Sequence, residues 1–320
     1  MPQPPAPEPV LVDRRGLSGV PDPVTVRAPG KVNLHLSVGA LRPNGFHDVT
    51  TVLQAVSLYD EVTAHPASDE VTCQVTGEGA AALPRDAGNL AVAAALRLAV
   101  RTGGAGGVRL EIVKSIPVAG GMAGGSADAA AALVACDALW RTGLDRAELA
   151  EIASLLGSDV PFTLAGGTGL ATGRGEMVTP VLTRGQFHWV FAFAEGGLAT
   201  AEVYAEHDRR PPRVESSPDG VLAAVRAGDP AALGKVLHND LQRAAFRLRP
   251  TLRRTLDAGM EAGALGGVVS GSGPTCAFLV ASGDDAVSLA AALSGAGVCR
   301  AVRVAHGPVP GARAVEPATR

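Results

Sequence analysis

Pro117-Val118-Ala119-Gly120-Gly121-Met122-Ala123-Gly124-Gly125-Ser126-Ala127-Asp128-Ala129-Ala130 is the stretch on which the reading of this 320-residue chain turns. Its four glycines permit backbone conformations that a β-carbon forbids and bring bare N–H groups close to a ligand. Ser126 stands where the N-cap of a long helix belongs, and the alanine-dense run from 127 to about 141 permits close packing on a sheet before it stops at Thr142-Gly143. N–H groups leading into a helix N-terminus favour an anion, through their unsatisfied hydrogen bonds and through the macrodipole. The stretch therefore predicts a phosphate site and, with it, a nucleotide. It contains neither the Gly-x-x-x-x-Gly-Lys-Ser/Thr pattern of a P-loop nor a Rossmann fingerprint, so the surrounding chain has to support the reading.

Immediately upstream, residues 108–114 alternate as a strand and deliver Lys114 to the edge of the loop, and residues 89–102 read as an alanine-rich helix capped by Asn89 and ended by Gly103-Gly104. Downstream, Asp145 and Glu148 form a capping-box variant that opens a helix ending at Gly157. Ser158-Asp159-Val160-Pro161-Phe162 follows. The carboxylate of Asp159 is either the N-cap of a turn or a functional group set in a cleft. Residues 166–175 carry the glycines of a hairpin-like segment.

Towards the N-terminus, residues 24–26 and 32–38 alternate as strands about a kink at Pro29-Gly30, and Lys31 and Asn33 share one face. That face is either solvated or serves a cleft. Arg42-Pro43-Asn44-Gly45-Phe46-His47-Asp48 has the composition of a tight turn before an apolar strand at 49–58, and Phe46 and His47 are either loop residues or the wall of a pocket. In the second half, strands are expected at 189–194, 268–269, 275–280 and 299–304, and helices at 219–227, 230–238 and 250–262. Residues 208–218 read as a loop, Ser270-Gly271-Ser272-Gly273-Pro274 as a tight turn, and the chain after Pro308 as a loose tail.

Composition narrows the function classes. Hydrophobic residues make up 47% and charged residues 18%, which describes an ordered globular protein, and the net charge of −3 gives no electrostatic reason to expect nucleic acid or an anionic membrane. Cys73, Cys136, Cys276 and Cys299 are scattered through apolar contexts and read as reduced core residues of a cytoplasmic protein. The seven histidines lack metal-ligand spacing, and no residue is assigned as a metal ligand. No apolar run reaches the roughly 18 residues of a membrane span. The seven prolines of the first 23 residues indicate a disordered tail at 1–23. With only seven Phe, two Tyr and two Trp in the chain, an aromatic residue beside a site carries weight.

Three features in a fixed order are more specific than any one of them: Ala28-Pro29-Gly30-Lys31-Val32-Asn33-Leu34, the loop at 117–130, and Ser270-Gly271-Ser272-Gly273-Pro274-Thr275. This order resembles the GHMP kinases, the galactose, homoserine, mevalonate and phosphomevalonate kinase superfamily, over about residues 24–304. The resemblance implies an α+β, two-domain GHMP kinase fold. It comprises a ribosomal protein S5 domain 2-like N-terminal domain at 24–182, which binds ATP and holds the catalytic residues, a ferredoxin-like C-terminal domain at 183–310, and a loose tail at 311–320. Three further segments, Asn44-Gly45-Phe46-His47, Lys114-Ser115-Ile116 with the loop, and Leu156-Gly157-Ser158-Asp159-Val160-Pro161-Phe162, resemble the branch that acts on CDP-methylerythritol in the non-mevalonate route to isoprenoid precursors. The chain departs from the commonest wording at Gly30, where alanine is frequent, at Phe46, where tyrosine is frequent, and at Ala127-Asp128, where Ser-Asn is frequent.

What the resemblance implies is phosphoryl transfer from ATP to the tertiary 2-hydroxyl of CDP-methylerythritol, with Asp159 as the catalytic carboxylate and Lys31 as its cationic partner. Lys114, Pro117, Val118, Ala119, Gly120, Gly121, Met122, Ala123, Gly124, Gly125 and Ser126 would bind the nucleotide. His47 would read the cytosine edge, Phe46 and Tyr204 would sandwich the base, and Asn33 would touch the erythritol hydroxyls or the catalytic pair. Mg²⁺ accompanies ATP in this reading, with Ser126 as a candidate contact. The protein would be a cytoplasmic monomer or weak homodimer with no nucleic-acid or membrane partner. The alternatives are a homoserine- or mevalonate-type GHMP kinase, against which the His47 turn speaks, and an inactive ligand-sensing relative, which has no need of both Lys31 and Asp159.

Overall fold

The computed structural model describes residues 21–43, 45–104, 106–209 and 216–315. The tail expected at 1–23 lies outside them except for its last three residues, as do Asn44 of the expected turn, residues 210–215 of the expected loop, and residues 316–320.

Two long antiparallel strands, β1 (Val24–Leu41) and β2 (His47–Ala67), organise the first half. Alternation predicts two short strands about a kink, whereas the chain forms one continuous β1. The kink survives as a register shift between Pro29 and Gly30, and further shifts fall between Asn33 and His35 and between Val38 and Leu41. β3 (Val71–Gly77), α1 (Leu90–Arg101) and β4 (Gly107–Lys114) follow; Asn89 caps α1 by accepting from Ala91 N, as expected. The glycine loop then leads into α2 (Gly124–Trp140), whose buried Ala127, Ala129, Ala130, Ala131, Ala132 and Ala135 let it lie close on the sheet and on α1. The capping box of Asp145 and Glu148 starts α3 (Arg146–Ser154), α4 (Val160–Ala165) follows Asp159, and a hairpin of β5 (Thr168–Thr172) and β6 (Met177–Pro180) pairs with β2.

The second half is built on β7 (Phe187–Phe193), with α5 (Thr200–Asp208), α6 (Asp219–Ala227), α7 (Pro230–Val236), β8 (His238–Asn239), α8 (Gln242–Leu248) and α9 (Thr251–Glu261) preceding β9 (Gly266–Val269), β10 (Cys276–Val280), α10 (Gly283–Ala296), β11 (Ala301–Gly307) and β12 (Arg313–Ala314). Four of these strands make an antiparallel sheet in the order β11-β7-β10-β9. The first sheet has eight strands, with β12-β1-β2-β4-β3 as its main path, the β5–β6 hairpin on β2, and β8 parallel to β1. The architecture is α+β with two sheets, the first of which takes in β8 and β12 from the second half. The four cysteines are free thiols, three of them buried, and no helix among the described residues is long and apolar enough to cross a membrane.

The way the halves meet decides one open alternative and corrects one expectation. The face of β1 that carries Lys31 and Asn33 is not a solvated outer face: both residues are 4% exposed because the second half packs over them. Nor is the chain after Pro308 loose as far as Val315. Gly167 N donates to Val309 O (2.8 Å), Ala312 N to Thr163 O (3.0 Å), and Val315 N to Thr25 O (2.9 Å), while β12 pairs with Val26 and Arg27. A proline- and glycine-rich segment without alternation reads as loop, but here the missing side chain is what allows docking, since a Cβ on Gly311 would fall 2.2 Å from Leu164 O.

Candidate active site

The loop at 117–130 reaches α2 through three left-handed residues, Ala119 (φ 50°), Gly121 (φ 75°) and Ala123 (φ 61°). Ala123, not Ser126, is the N-cap of α2, and it offers no side-chain hydrogen bond. Ser126 is the third residue of the helix, because the left-handed Ala123 lets the helix begin two residues before the expected cap. The first helical bond is donated by Ala127 N to Ala123 O (2.9 Å), so the N–H groups of Gly124, Gly125 and Ser126 lie in the first turn, ahead of the helical ladder and without a capping side chain. Such an N-terminus fits a phosphate. Pro117, Gly120, Met122 and Gly124 are buried and support the loop from beneath, Val118, Gly121, Ala123 and Ser126 are half-buried, and Ala119 and Gly125 are exposed.

Lys114 lies beneath the point where the loop enters α2, and a Cβ on Gly124 would fall 3.2 Å from its Nζ. Its ammonium is buried and bonded to Asp60 and to Asp128 Oδ2 (2.6 Å for the latter), partners that the sequence reading does not predict. The two carboxylates take two of its three N–H donors. Asp60 Oδ1 accepts from Ser115 N (2.6 Å) and Ile116 N (2.9 Å), where the chain enters the loop, and Asp128 stands on α2, where it leaves. The three side chains thus tie the two ends of the loop together. Burial pushes the Asp128 carboxyl up to about 7, with Lys114 opposing and Asp60 adding to the rise, and Asp128 Oδ1 has no hydrogen-bond partner.

On the other side of the loop, Lys31 Nζ donates to Asn33 Oδ1 (2.6 Å) and Gly121 O (2.8 Å), and Lys31 N donates to Met122 O (3.1 Å). Asn33 is oriented in turn by Thr51, to whose Oγ1 its Nδ2 donates at 2.9 Å, and Thr51 Oγ1 donates to His35 O at 2.6 Å. The turn between β9 and β10 closes over the ammonium. Ser270 Oγ donates to Gly121 O (2.9 Å), and a Cβ on Gly271 would lie 3.1 Å from Lys31 Nζ. Asn239 holds this turn by donating to Val269 O and Gly271 O, each at 2.7 Å. The three glycine-containing segments therefore converge on one ammonium group. Burial lowers the Lys31 pKa, and the negative charge of Asp159 partly restores it.

Asp159 occupies the N-cap position of α4, yet its side chain makes no capping hydrogen bond, so the cap reading of this carboxylate does not hold. Its charge is felt both by Lys31 and by Tyr204, whose phenol is pushed up to about 12 by burial first and then by Asp159 and Asp208. Tyr204 on α5 packs beside His47, with ring centroids 5.3 Å apart and tilted by 31°. His47 Nδ1 faces Gly39 O (2.9 Å) and Nε2 faces Asp208 (3.2 Å to Oδ1), so the ring is held at both nitrogens. Phe46 is 52% exposed, with the Arg174 guanidinium 5.4 Å from its ring centroid. The structure thus brings Lys31, Asn33, Asp159, Tyr204 and His47 to one region beside the loop and places Lys114 beneath the loop. Thr51, Asn239, Asp208, Ser270 and Gly271 join the site without an expected role. Only the last two lie in a motif that the sequence marks out. No group of three or more His, Cys, Asp or Glu among the described residues is placed to hold a metal ion.

Comparison with known proteins bears on what this arrangement does. The profile of the GHMP kinases N terminal domain matches residues 89–167, and that of the GHMP kinases C terminal domain matches residues 221–299. A 4-diphosphocytidyl-2-C-methyl-D-erythritol kinase of Nocardia farcinica is 60% identical over 306 residues, covering 94% of this chain and 99% of its own. One from Mycobacterium tuberculosis is 58% identical over 301 residues, covering 92% and 94%. Among solved structures, a 4-(cytidine 5'-diphospho)-2C-methyl-D-erythritol kinase superposes with a TM-score of 0.72 at 32% identity, covering 88% of this chain and 98% of its own. A homoserine kinase from Cytophaga hutchinsonii gives the same TM-score of 0.72 at 21% identity, covering 93% and 99%, and shares the fold.

Proposed function

The chain belongs to the GHMP kinases and, among them, to the 4-diphosphocytidyl-2-C-methyl-D-erythritol kinases, and from that membership we propose that Asp159 and Lys31 carry its chemistry. The reaction is transfer of a phosphoryl group from ATP to an alcohol of the CDP-linked methylerythritol, and the acceptor in this reading is the tertiary 2-hydroxyl. A hydroxyl is a poor nucleophile at neutral pH. Asp159, uncommitted to the helix it precedes, takes the proton as attack develops, a contribution of about 10²- to 10⁴-fold. Lys31, fixed by Asn33 and Gly121 O, presents its charge to the carboxylate and to the transferring group.

The ATP phosphates lie at the first turn of α2, on the N–H groups of Gly124, Gly125 and Ser126. Phosphoryl transfer asks the protein for alignment and charge stabilisation more than for covalent participation, and the loop and Lys31 share the atom Gly121 O, so the donor phosphates and the catalytic pair are held in one frame. Mg²⁺, brought by the nucleotide, would supply further neutralisation of the phosphates, with the Ser126 hydroxyl as the protein's contact. Cytosine lies between Phe46 and Tyr204, with its edge read at His47, whose ring Gly39 and Asp208 hold in place. The unit at 24–182 supplies ATP binding and catalysis, and the unit at 183–310 supplies Tyr204 and the turn over Lys31. The enzyme acts in the cytoplasm, on the non-mevalonate route to isoprenoid precursors, as a monomer or weak homodimer.

The observation that carries this reading is the buried Lys31 ammonium, bonded to the glycine loop and within the field of Asp159. ATP consumption measured with the CDP-linked substrate, mevalonate and homoserine tests it: the first is consumed and the others ignored. Asp159→Asn lowers turnover by about 10²-fold or more while nucleotide binding stays near that of the wild type. Near-normal turnover of the variant would remove Asp159 from the mechanism.

A further inference from the structure

Arg174 lies in the turn between β5 and β6. Val49 N donates to Gly173 O (2.8 Å), which sets this turn beside the start of β2, next to Phe46 and His47. On its other flank, a Cβ on Gly175 would lie 3.6 Å from the Ser158 Cβ, so the turn also touches the residue preceding Asp159. It therefore spans the interval between the base-binding turn and the catalytic carboxylate. Arg42, the other cation of this region, is committed to Asp48 through both Nε (2.8 Å) and Nη2.

The Arg174 side chain is 40% exposed, and its Cζ lies over the Phe46 ring, 5.4 Å from the centroid. Glu176 Oε2 accepts from Arg174 N (2.6 Å) and so closes the turn, while Oε1 meets the guanidinium only at Nε, at 3.4 Å. Among the described residues, Nη1 and Nη2 make no hydrogen bond or ion pair.

A substrate with its base against Phe46 and its hydroxyl at Asp159 carries its diphosphate across this interval. A planar guanidinium fork is the side chain best matched to phosphate oxygens, and a protein of net charge −3 has to attract a diphosphate locally. We propose that Arg174 binds the diphosphate of the CDP-linked substrate through Nη1 and Nη2, with the Phe46 ring beneath its guanidinium. The assignment rests on the function proposed above and adds a specificity residue to it. Glu176 keeps the Nε edge and holds the turn, so the fork is presented without rearrangement of the backbone.

Steady-state kinetics of Arg174→Gln and Arg174→Lys, together with calorimetric binding of CDP and cytidine, test the assignment. Loss of a bidentate, charge-assisted contact raises the KM for the CDP-linked substrate and the Kd for CDP by about ten- to a hundredfold. The KM for ATP and the affinity for cytidine stay at wild-type values, and Arg174→Lys recovers part of the loss because it restores charge without the fork. Equal weakening of CDP and cytidine would assign Arg174 to support of Phe46, and unchanged CDP affinity would remove it from the site; either overturns the proposal. The binding arm needs no turnover. A wild-type enzyme that binds CDP through Arg174 but leaves the CDP-linked substrate unconsumed would refute the activity, whereas turnover with CDP affinity independent of Arg174 would refute only the present assignment.

Discussion

Asp128→Asn replaces one buried oxygen by an amide NH₂ and removes a negative charge from beneath the glycine loop. In the folded protein the Asp128 carboxyl titrates at about 7, because burial outweighs Lys114 and Asp60 adds repulsion, against an ordinary value of 3.8. Between those values the native state holds a proton that the unfolded chain has released. The stability contributed by this raised group is therefore complete below the unfolded value and is lost as pH rises through the folded one. At about 1.4 kcal/mol for each pH unit separating the two values, the full swing is on the order of 4 kcal/mol. Asparagine does not titrate, so the variant lacks this slope, and its NH₂, at the position of an oxygen with no partner, costs about 1–3 kcal/mol at every pH. Urea unfolding of the two proteins at several values between about pH 5 and about pH 8 reads the difference, which moves in favour of the variant by about 3 kcal/mol and leaves it the more stable protein at the alkaline end. The same stability difference at both ends of that range would refute the account of the cluster. A variant that unfolds more readily at alkaline pH would show that the ionised Asp128 stabilises the fold there.

Two further outcomes follow from the site. Gly121→Ala places a Cβ 2.0 Å from Ser270 O at a φ of 75°, so it both strains the loop and pushes away the turn over Lys31. We expect a loss of about 2–4 kcal/mol in urea unfolding together with a raised KM for ATP, and a variant within about 0.5 kcal/mol of the wild type would contradict the packing described. The charge of Lys31 is needed for transfer and burial lowers its pKa, so kcat falls with rising pH before the ordinary lysine value of 10.5 is reached. A kcat that stays level past that value would show that Lys31 does not act as a cation.

Much of the fold is legible in the sequence because its signals are local. Asn89 caps α1, the Asp145–Glu148 box starts α3, alternation marks β4, and apolar runs mark β7 and β10. Ser282, accepting from Asp285 N at 3.1 Å, likewise announces α10, a local signal that the alanine-rich run behind it obscures. What stays hidden depends on distant parts of the chain. Alternation assigns Lys31 and Asn33 to a face but says nothing of the turn from the second half that covers it. The left-handed Ala123 that starts α2 is foretold by no propensity, which is why Ser126 reads as the cap. Lys114 looks like a phosphate ligand because it is a lysine at the start of a glycine loop. Asp60, which with Asp128 neutralises it, lies 54 residues earlier on another strand. The order of the three glycine motifs carries the family, whereas the residues that hold them together, Asn239 and Thr51 among them, belong to no motif.

The short strands β8 and β12 pair with β1 at two points, His35–Leu36 and Val26–Arg27. An uncovered edge of an 18-residue strand is a template on which a second molecule can add a strand of its own. Here two pieces of two residues each, one from the second half and one from the end of the chain, break that template at both ends, so the geometry that seats Lys31 also guards the protein against assembling with itself edge to edge. The same pairing brings Val315 to within a hydrogen bond of Thr25, near where the described chain begins. Thr25 and Val315 thus stand side by side, and a circular permutant that links them through a few residues would keep every described segment of the active site in place.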